Sequence, residues 1–137
     1  MKKYIIILLS IFCAINISAQ ENADKIIGYY YSIDPFSGEE SQNEIYPAKD
    51  GTYEGRVVWV KNKKFQNQVN LVFLKGLKFN EKENEWQNGV LVYPGKSGTF
   101  KTYMSFDGKN RLKVRGYWGV SLFGKTIYWT KEEKLRE

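Results

Sequence analysis

The sequence contains no histidine, and its only cysteine is Cys13. A Ser-His-Asp triad, a Cys-His nucleophile and a zinc site built from imidazole and thiolate ligands are therefore excluded. A disulfide within the chain is excluded too, because Cys13 has no second cysteine to pair with. Aromatic residues, by contrast, make up 16% of the 137 residues. This composition favours a β-sheet protein with one hydrophobic core and predicts neither a metal nor a cofactor.

The N-terminus has the layout of a secretory signal peptide. Two lysines precede an apolar stretch, and the small pair Ser18-Ala19 precedes a polar run. The apolar stretch is about 14 residues long, which is shorter than the roughly 20 residues that a membrane-spanning helix needs. We therefore expect export and removal of residues 1–19, which leaves residues 20–137 as one domain in the periplasm, at the cell envelope or secreted. A retained membrane anchor and a lipid attached at Cys13 are the alternatives.

The remainder of the chain is predicted to consist of short strands. No segment after residue 20 shows the i, i+3, i+4 apolar spacing of a helix. Runs of aromatic and β-branched residues alternate instead with turn signals such as Asp107-Gly108. Eight strands are predicted, over residues 26–33, 41–47, 52–61, 69–79, 86–94, 99–106, 111–118 and 125–131. The charged tail, residues 132–137, is expected to fray or to add a short helical turn.

Short links between consecutive strands favour antiparallel pairing, and a long antiparallel sheet closes to hide its edges. The predicted fold is therefore an all-β, up-and-down closed barrel of about eight strands. A β-sandwich is the alternative fold. A barrel of this size is either filled by its own side chains or holds one small ligand.

Alternation along the strands predicts which side chains point into the barrel. The predicted inward residues are Phe100, Met104, Phe106, Leu112, Val114, Trp118, Ile127 and Trp129. The strand over residues 52–61 leaves two sets open, because Tyr53, Val57 and Trp59 compete with Val58 and Val60 for the interior.

Several segments resemble a known family, in their order and in their residues. They are IIGYYYSIDPFSG, YEGRVVWV, LKGLKF, NGVLVYPGKSGTFKTYMSF and LKVRGYWGVSLFGKTIYWTK. From about Ile26 to Lys131 the chain resembles the DUF2147 family of small exported bacterial proteins, which belong with the lipocalin-like (calycin) barrels. Gly28-Tyr29-Tyr30 is similar to the calycin Gly-x-Trp motif, with Tyr30 in place of tryptophan. The resemblance implies a barrel outside the cytoplasm and no established reaction.

The barrel interior is the first candidate site, since calycin-like barrels often bind an apolar molecule in the mouth of the barrel. The residues expected near such a cavity are Tyr30, Phe73, Val92, Met104, Val114 and Trp129. The alternative is a solid core, because aromatic side chains are large enough to fill a small barrel.

Arg115 is a further candidate. Alternation places it outward with Lys113, which is typical of a solvated arginine lying over its neighbours. The resemblance implies that a late arginine packs over the aromatic of the first strand, here Tyr30, in a cation–π contact. Binding a ligand carboxylate is a third role for Arg115.

The charged residues suggest no catalytic site. The basic residues Lys61, Lys63, Lys64, Lys101, Lys113 and Arg115 either form a surface for anionic lipid headgroups or polysaccharide, or are simply solvated. No nucleic-acid motif is present. The carboxylates Asp34, Glu44, Glu54 and Glu85 lie in predicted turns or on polar strand faces, with nothing to join two of them into an acid pair for glycoside hydrolysis.

The leading hypothesis is therefore an exported, soluble, non-enzymatic barrel that binds a small hydrophobic or amphipathic molecule by burying its apolar surface. The alternative is an envelope interaction module, in which a filled barrel presents exposed aromatic and lysine side chains to a partner. A hydrolase is a third hypothesis, and it requires a buried carboxylate with a strongly shifted pKa.

Overall fold

The computed structural model describes residues 17–93, 98–120 and 122–137. Eight antiparallel strands each pair with the next one in the chain, and the last pairs with the first to close a barrel. The strands are β1 (Gly28–Ile33), β2 (Glu40–Pro47), β3 (Tyr53–Val60), β4 (Val72–Asn80), β5 (Glu85–Val92), β6 (Thr99–Phe106), β7 (Arg111–Tyr117) and β8 (Gly124–Glu132). The predicted up-and-down barrel is thus confirmed and the sandwich alternative is wrong. Cys13 and most of the predicted signal peptide lie outside the described residues.

β4 begins later than predicted because the link before it is not extended. A 3₁₀ helix (Lys63–Gln68) occupies this link, and Asn70 then adopts a φ of 76°. This left-handed conformation turns the chain just before β4. The Asn70 amide instead donates to the Val57 carbonyl at 2.7 Å, which ties the link to β3.

Both candidate sets on β3 contribute to the interior, one after the other. Tyr53 and Val57 are buried along the first part of the strand, and Val60 is buried at its end. The register with β2 shifts within the strand, which leaves Val58 as the extra residue of a β-bulge. The bulge shifts the inward–outward alternation of the strand by one residue, so that Trp59 points outward.

The other predicted inward residues lie inside, with one exception. Met104, Leu112, Val114 and Trp129 are buried, and Phe100, Phe106 and Ile127 pack against the core that they form. The prediction for Trp118 was wrong, since its side chain is 71% exposed. β7 ends at Tyr117, so Trp118 lies in the turn to β8, where strand alternation no longer applies.

A helical segment over residues 17–24 and the turn after it close one end of the barrel, which we call the floor. No helix was predicted here, because this segment is too short to show helical periodicity. Ala23 and Ile26 are buried beneath the strands. Three inward aromatic side chains donate hydrogen bonds to the floor: Trp86 to the Ala23 carbonyl at 3.0 Å, Tyr30 to the Ile26 carbonyl at 2.8 Å and Tyr53 to the Asp24 carboxylate at 2.6 Å.

The contact that closes the barrel is short. β1 and β8 share three residue pairs, centred on Tyr30 and Lys131, whereas β7 and β8 share seven. Lys131 reinforces this seam, because its Nζ donates to the Lys25 carbonyl at 2.8 Å and lies 5.8 Å from the centre of the Tyr30 ring. Burial of the ammonium group lowers the pKa of Lys131.

The tail after β8 is held in place, and the expectation that it frays was wrong. It crosses the outer face of the sheet near the seam and covers Gln42, which is fully buried although it points outward. Gln42 Nε2 donates to Glu132 Oε1 at 3.0 Å and to the Lys134 carbonyl at 2.9 Å. Its Oε1 accepts from the Arg136 amide at 2.9 Å. We call this set of hydrogen bonds the tail clamp.

The Arg136 side chain extends the tail clamp across three strands. Its guanidinium lies 4.6 Å from the centre of the Tyr31 ring on β1 and 5.1 Å from that of Trp59 on β3. It also forms a paired contact with the Glu132 carboxylate, with both distances at 2.8 Å. The last residues therefore bridge the strands next to the seam.

Replacing Gln42 with alanine should destabilise the barrel by about 2 kcal/mol, because three hydrogen bonds are lost and buried groups are left unpaired. Urea unfolding followed by tryptophan fluorescence measures this change. Gln66→Ala, at an exposed position of the 3₁₀ helix, is the control and should unfold like the parent. Equal unfolding midpoints for Gln42→Ala and the parent would show that the tail clamp adds no stability.

Candidate functional site

In the part of the chain that the structure describes, the end of the barrel opposite the floor is open. β1, β3, β5 and β7 all end there because the strands alternate in direction, and we call this end the mouth. At the floor, hydrogen-bonded aromatic residues join the strands to the N-terminal segment, and a separate recess of about 390 Å³ is lined by Lys25, Asn84, Trp86, Phe106, Gly108, Lys109 and Lys131. The mouth leads into two adjoining cavities. Buried core side chains such as Tyr30 and Met104 pack between the two ends.

The larger cavity, the main chamber, has a volume of about 390 Å³. Its wall is formed by Leu91, Phe100, Val114, Gly116 and Ile127, which occupy inward positions of β5 to β8. Its rim is formed by Pro35, Phe36 and Tyr93 on one side and by Trp118, Leu122 and Phe123 of the β7–β8 turn on the other. The volume lies within the range of about 300–1,000 Å³ that is typical of small-molecule sites.

Lys125 is the charged residue of the main chamber. It pairs with Gly116, so its side chain shares the inward face of β8 with Ile127 and Trp129. Its Nζ lies 5.6 Å from the centre of the Phe36 ring. Among the residues that the structure describes, no carboxylate lies within ion-pair distance of it. Lys125 was not among the predicted site residues, although its period-2 spacing from Ile127 and Trp129 marks it as inward.

Tyr93 carries the polar group on the opposite side of the rim. Burial raises the pKa of Tyr93 well above its usual value, and the charge and hydrogen bond of Asp34 raise it further. Asp34 Oδ1 also accepts from the Phe36 amide at 2.7 Å, which fixes the β1–β2 turn. The ring of Tyr93 meets Phe36 and Phe100 edge to face, with centres 5.6 and 6.1 Å apart. This network holds the rim beside Lys125.

The smaller cavity, the side chamber, has a volume of about 120 Å³, and its mostly apolar wall includes the polar residues Ser32, Ser41 and Asn43. Asn43 Nδ2 donates to Ser32 Oγ at 3.0 Å, and Ser32 Oγ lies 3.1 Å from Ser41 Oγ. Trp129 also lines the chamber, and its buried Nε1 has no hydrogen-bond partner within the described part of the chain. A donor of this kind favours a ligand that offers an acceptor.

The structure brings four of the seven predicted site residues to the two chambers. Phe73, Val92, Val114 and Trp129 line the side chamber, and Val114 lines the main chamber as well. Tyr30 and Met104 lie instead in the packed half above the floor.

Arg115 lies on the outer face of β7, away from both chambers. Its Nη1 donates to Thr126 Oγ1 on β8 at 3.2 Å. The cation that lies over the Tyr30 ring is Lys131, which reaches it from the inward face of β8. Inside the barrel, Lys131 thus has the position that the resemblance assigned to Arg115.

The four carboxylates considered for catalysis are spread over the barrel and each has a structural partner. Asp34 contacts Tyr93, Glu44 binds Arg56, Glu54 accepts from Tyr46 and Glu85 accepts from Gln87. Within residues 17–93, 98–120 and 122–137, no group of three or more potential metal ligands occurs among His, Cys, Asp and Glu. In the same residues, no helix has the length and apolarity needed to cross a membrane.

Comparison with known proteins agrees with the barrel. A family model described as "Uncharacterized protein conserved in bacteria (DUF2147)" matches residues 28–131, from the start of β1 to the penultimate residue of β8. Among solved structures, the chain is similar to protein HP1028 from the human pathogen Helicobacter pylori, which is described as belonging to the lipocalin family. The two are 16% identical over 79% of this chain and 83% of that chain, with a TM-score of 0.64. No curated protein matches the chain.

Two inward glycines test the contrast between the packed core and the hollow mouth. A Cβ atom at Gly89 would lie 2.5 Å from Thr102 Cγ2 and 2.8 Å from Leu77 Cδ2, whereas one at Gly116 would meet Leu91 Cδ1 at 3.7 Å. We expect Gly89→Ala to destabilise the barrel by about 1–3 kcal/mol through overpacking. Gly116→Ala should have the same free energy of unfolding as the parent, or a value higher by up to about 1 kcal/mol. Urea unfolding of both variants measures the difference, and equal losses would contradict a hollow mouth.

Proposed function

The chain belongs to the DUF2147 family of bacterial proteins, and on that premise we propose that it is a non-enzymatic barrel that binds a small amphipathic molecule with an acidic end. The observation that carries the proposal is the inward position of Lys125 at the edge of the apolar main chamber. Burial of the ligand's apolar part in the chamber supplies the affinity, and the ammonium group selects the charge at its other end.

The lining of the main chamber supports an apolar ligand body. Its wall is made of aliphatic and aromatic side chains, and its opening is bordered by Phe36 and Tyr93. A carboxylate at the end of such a body would lie beside Lys125, near the rim. There the carboxylate stays partly hydrated, which limits the cost of burying its charge. The side chamber gives the ligand a second contact, because Ser32, Ser41 and Asn43 place polar side chains along its wall.

The proposed function is binding rather than catalysis. Asp34, the carboxylate that lines the side chamber, already accepts from backbone amides of its own turn and interacts with Tyr93. The hollow mouth favours this function over that of an interaction module with a filled barrel.

We also propose that the protein acts after export, in the periplasm or at the cell envelope. The floor contacts of Ala23, Asp24 and Ile26 all lie after the predicted cleavage site at Ala19. Removal of residues 1–19 therefore leaves the hydrogen bonds between the floor and the strands intact.

Ligand binding can be tested with two probes of similar size, the neutral N-phenyl-1-naphthylamine and the anionic decanoate. Both should bind the parent, as measured by probe fluorescence and by displacement. Gly116→Phe places a ring in the main chamber, and we expect it to lower the affinity for both probes by at least about tenfold. Lys125→Gln should lower the affinity for decanoate by about fivefold, a modest loss because the ion pair is partly exposed. The affinity for the neutral probe should not change.

Lys113→Gln, on the outer face of β7, is the matched control and should bind both probes like the parent. Retention of full binding by a folded Gly116→Phe variant would exclude the main chamber as the site. Equal effects of Lys125→Gln on both probes would contradict the role of its charge.

Export predicts a defined N-terminus. When the full-length gene is expressed in a Gram-negative host, the periplasmic protein should begin at Gln20, in its free or cyclised form, as measured by intact mass. Ala19→Trp should block cleavage, because the residue before the cut must be small. Recovery of the uncleaved parent from the cytoplasm would contradict export.

A further inference from the structure

The β7–β8 turn exposes an unusual group of apolar side chains. Trp118, Val120, Leu122 and Phe123 have exposed fractions of 71%, 56%, 82% and 71%. Backbone hydrogen bonds join the described residues of the turn, from the Trp118 amide to the Phe123 carbonyl at 3.1 Å and from the Phe123 amide to the Val120 carbonyl at 3.0 Å. We call these four residues the apolar tip. A contiguous exposed group of this kind marks a contact surface.

The strands that carry the apolar tip are basic along their length. No acidic residue occurs between Arg111 and Lys131, nor in β6 beside them. Lys101 on β6 and Arg115 on β7 lie near the base of the tip, since Lys101 pairs with Tyr117 and Tyr103 pairs with Arg115. Both side chains are on the outer face. The tip is therefore an uncharged segment with cations at its base.

The acidic residues in the β1–β2 link and at the start of β2, Asp34, Glu39 and Glu40, each have a partner at the mouth, and Glu39 accepts from Asn62 Nδ2 at 3.3 Å. Asp34 interacts with Tyr93 and with its own turn, and the Glu40 carboxylate binds Lys61 at 2.7 Å and also Tyr31. Hydrogen bonds from Lys61 and Tyr31 lower the pKa of Glu40. Lys63 and Lys64 of the 3₁₀ helix add positive charge at the same end. The mouth thus combines a projecting apolar tip with excess positive charge.

We propose that the apolar tip inserts into the surface of an anionic phospholipid membrane, with Lys101 and Arg115 at the level of the phosphate groups. Tryptophan, phenylalanine and leucine above lysine and arginine are the residues that settle at a bilayer interface. A lipid surface fits this charge pattern better than a second copy of the chain does, because tip-to-tip pairing would bring two sets of cations together.

Membrane docking would bring the main chamber to the lipid surface. Trp118, Leu122 and Phe123 belong to the tip and also form one side of the chamber rim. An amphipathic ligand would then pass between the bilayer and the chamber without crossing bulk water. This consequence rests on the proposed function, whereas the docking itself does not require that the chamber hold a ligand.

Vesicle flotation tests the docking, with phosphatidylcholine vesicles that contain or lack phosphatidylglycerol. The protein is used as the cell processes it, so parent and variants share one N-terminus. We expect the parent to float with the anionic vesicles and far less with the neutral ones. In a variant with Trp118→Ser, Leu122→Ser and Phe123→Ser, the partition coefficient of the protein onto the anionic vesicles should fall at least about tenfold. The double variant Ile27→Ser and Leu135→Ser, which removes exposed apolar residues at the floor end and in the tail, should float like the parent.

The charge contribution is tested separately. Lys101→Glu should reduce flotation with anionic vesicles severalfold, whereas Lys109→Glu, at the turn on the floor side, should not. Brominated lipids should quench the parent's tryptophan fluorescence, and the Trp118→Ser single variant should lose most of this quenching.

Three outcomes would overturn the proposal. They are no flotation of the parent, equal flotation of the folded tip variant, and a tip-dependent dimer or protein complex without vesicle binding. Gly116→Phe separates this proposal from the proposed function, because it should lose the ligand probes and still float. Flotation of a parent that binds neither probe would leave docking in place and remove only the proposed function.

Discussion

Closure of the barrel depends on the seam between β1 and β8, where only three residue pairs join the two ends of the sheet. The chain reinforces this seam from both sides. Lys131 binds the floor from within, and the tail clamp on Gln42 covers the outer face. A closed sheet has no free edge, so the strands surround the interior and leave only the two ends of the barrel to be covered. The contrast between floor and mouth follows from that enclosure.

The two halves of the interior use their aromatic residues differently. Near the floor, Tyr30, Tyr53 and Trp86 bury their rings and direct their polar atoms at the N-terminal segment, so that packing and hydrogen bonding support each other. At the mouth, Tyr93 and Phe100 border a space that they do not fill. The rigid half therefore positions the hollow half, where the chemical selection that we propose takes place.

Much of the fold could be predicted from the sequence, since period-2 alternation and turn signals depend on local chemistry. Met104, Val114 and Trp129 were correctly placed inside for this reason. The side change on β3 was not predictable, because a bulge at Val58 depends on the partner strand. Trp118 was misplaced because alternation says nothing about where a strand ends.

The candidate site was predicted less completely than the fold. Alternation identifies inward residues but not how deep they lie, so Tyr30 and Met104 were grouped with residues of the mouth. Lys125 was overlooked because lysines are usually exposed, although its spacing along β8 places it inward. Only the three-dimensional structure shows that this inward position lies at the edge of a cavity.

The pairing of the first strand with the last also affects how the chain acquires its structure. Tyr29 pairs with Glu132, so the seam joins residues at nearly opposite ends of the sequence. A polypeptide that emerges N-terminus first cannot complete the sheet until its final segment is released, and until then β1 has an unpaired edge. High contact order of this kind slows folding and leaves a nascent intermediate prone to aggregation.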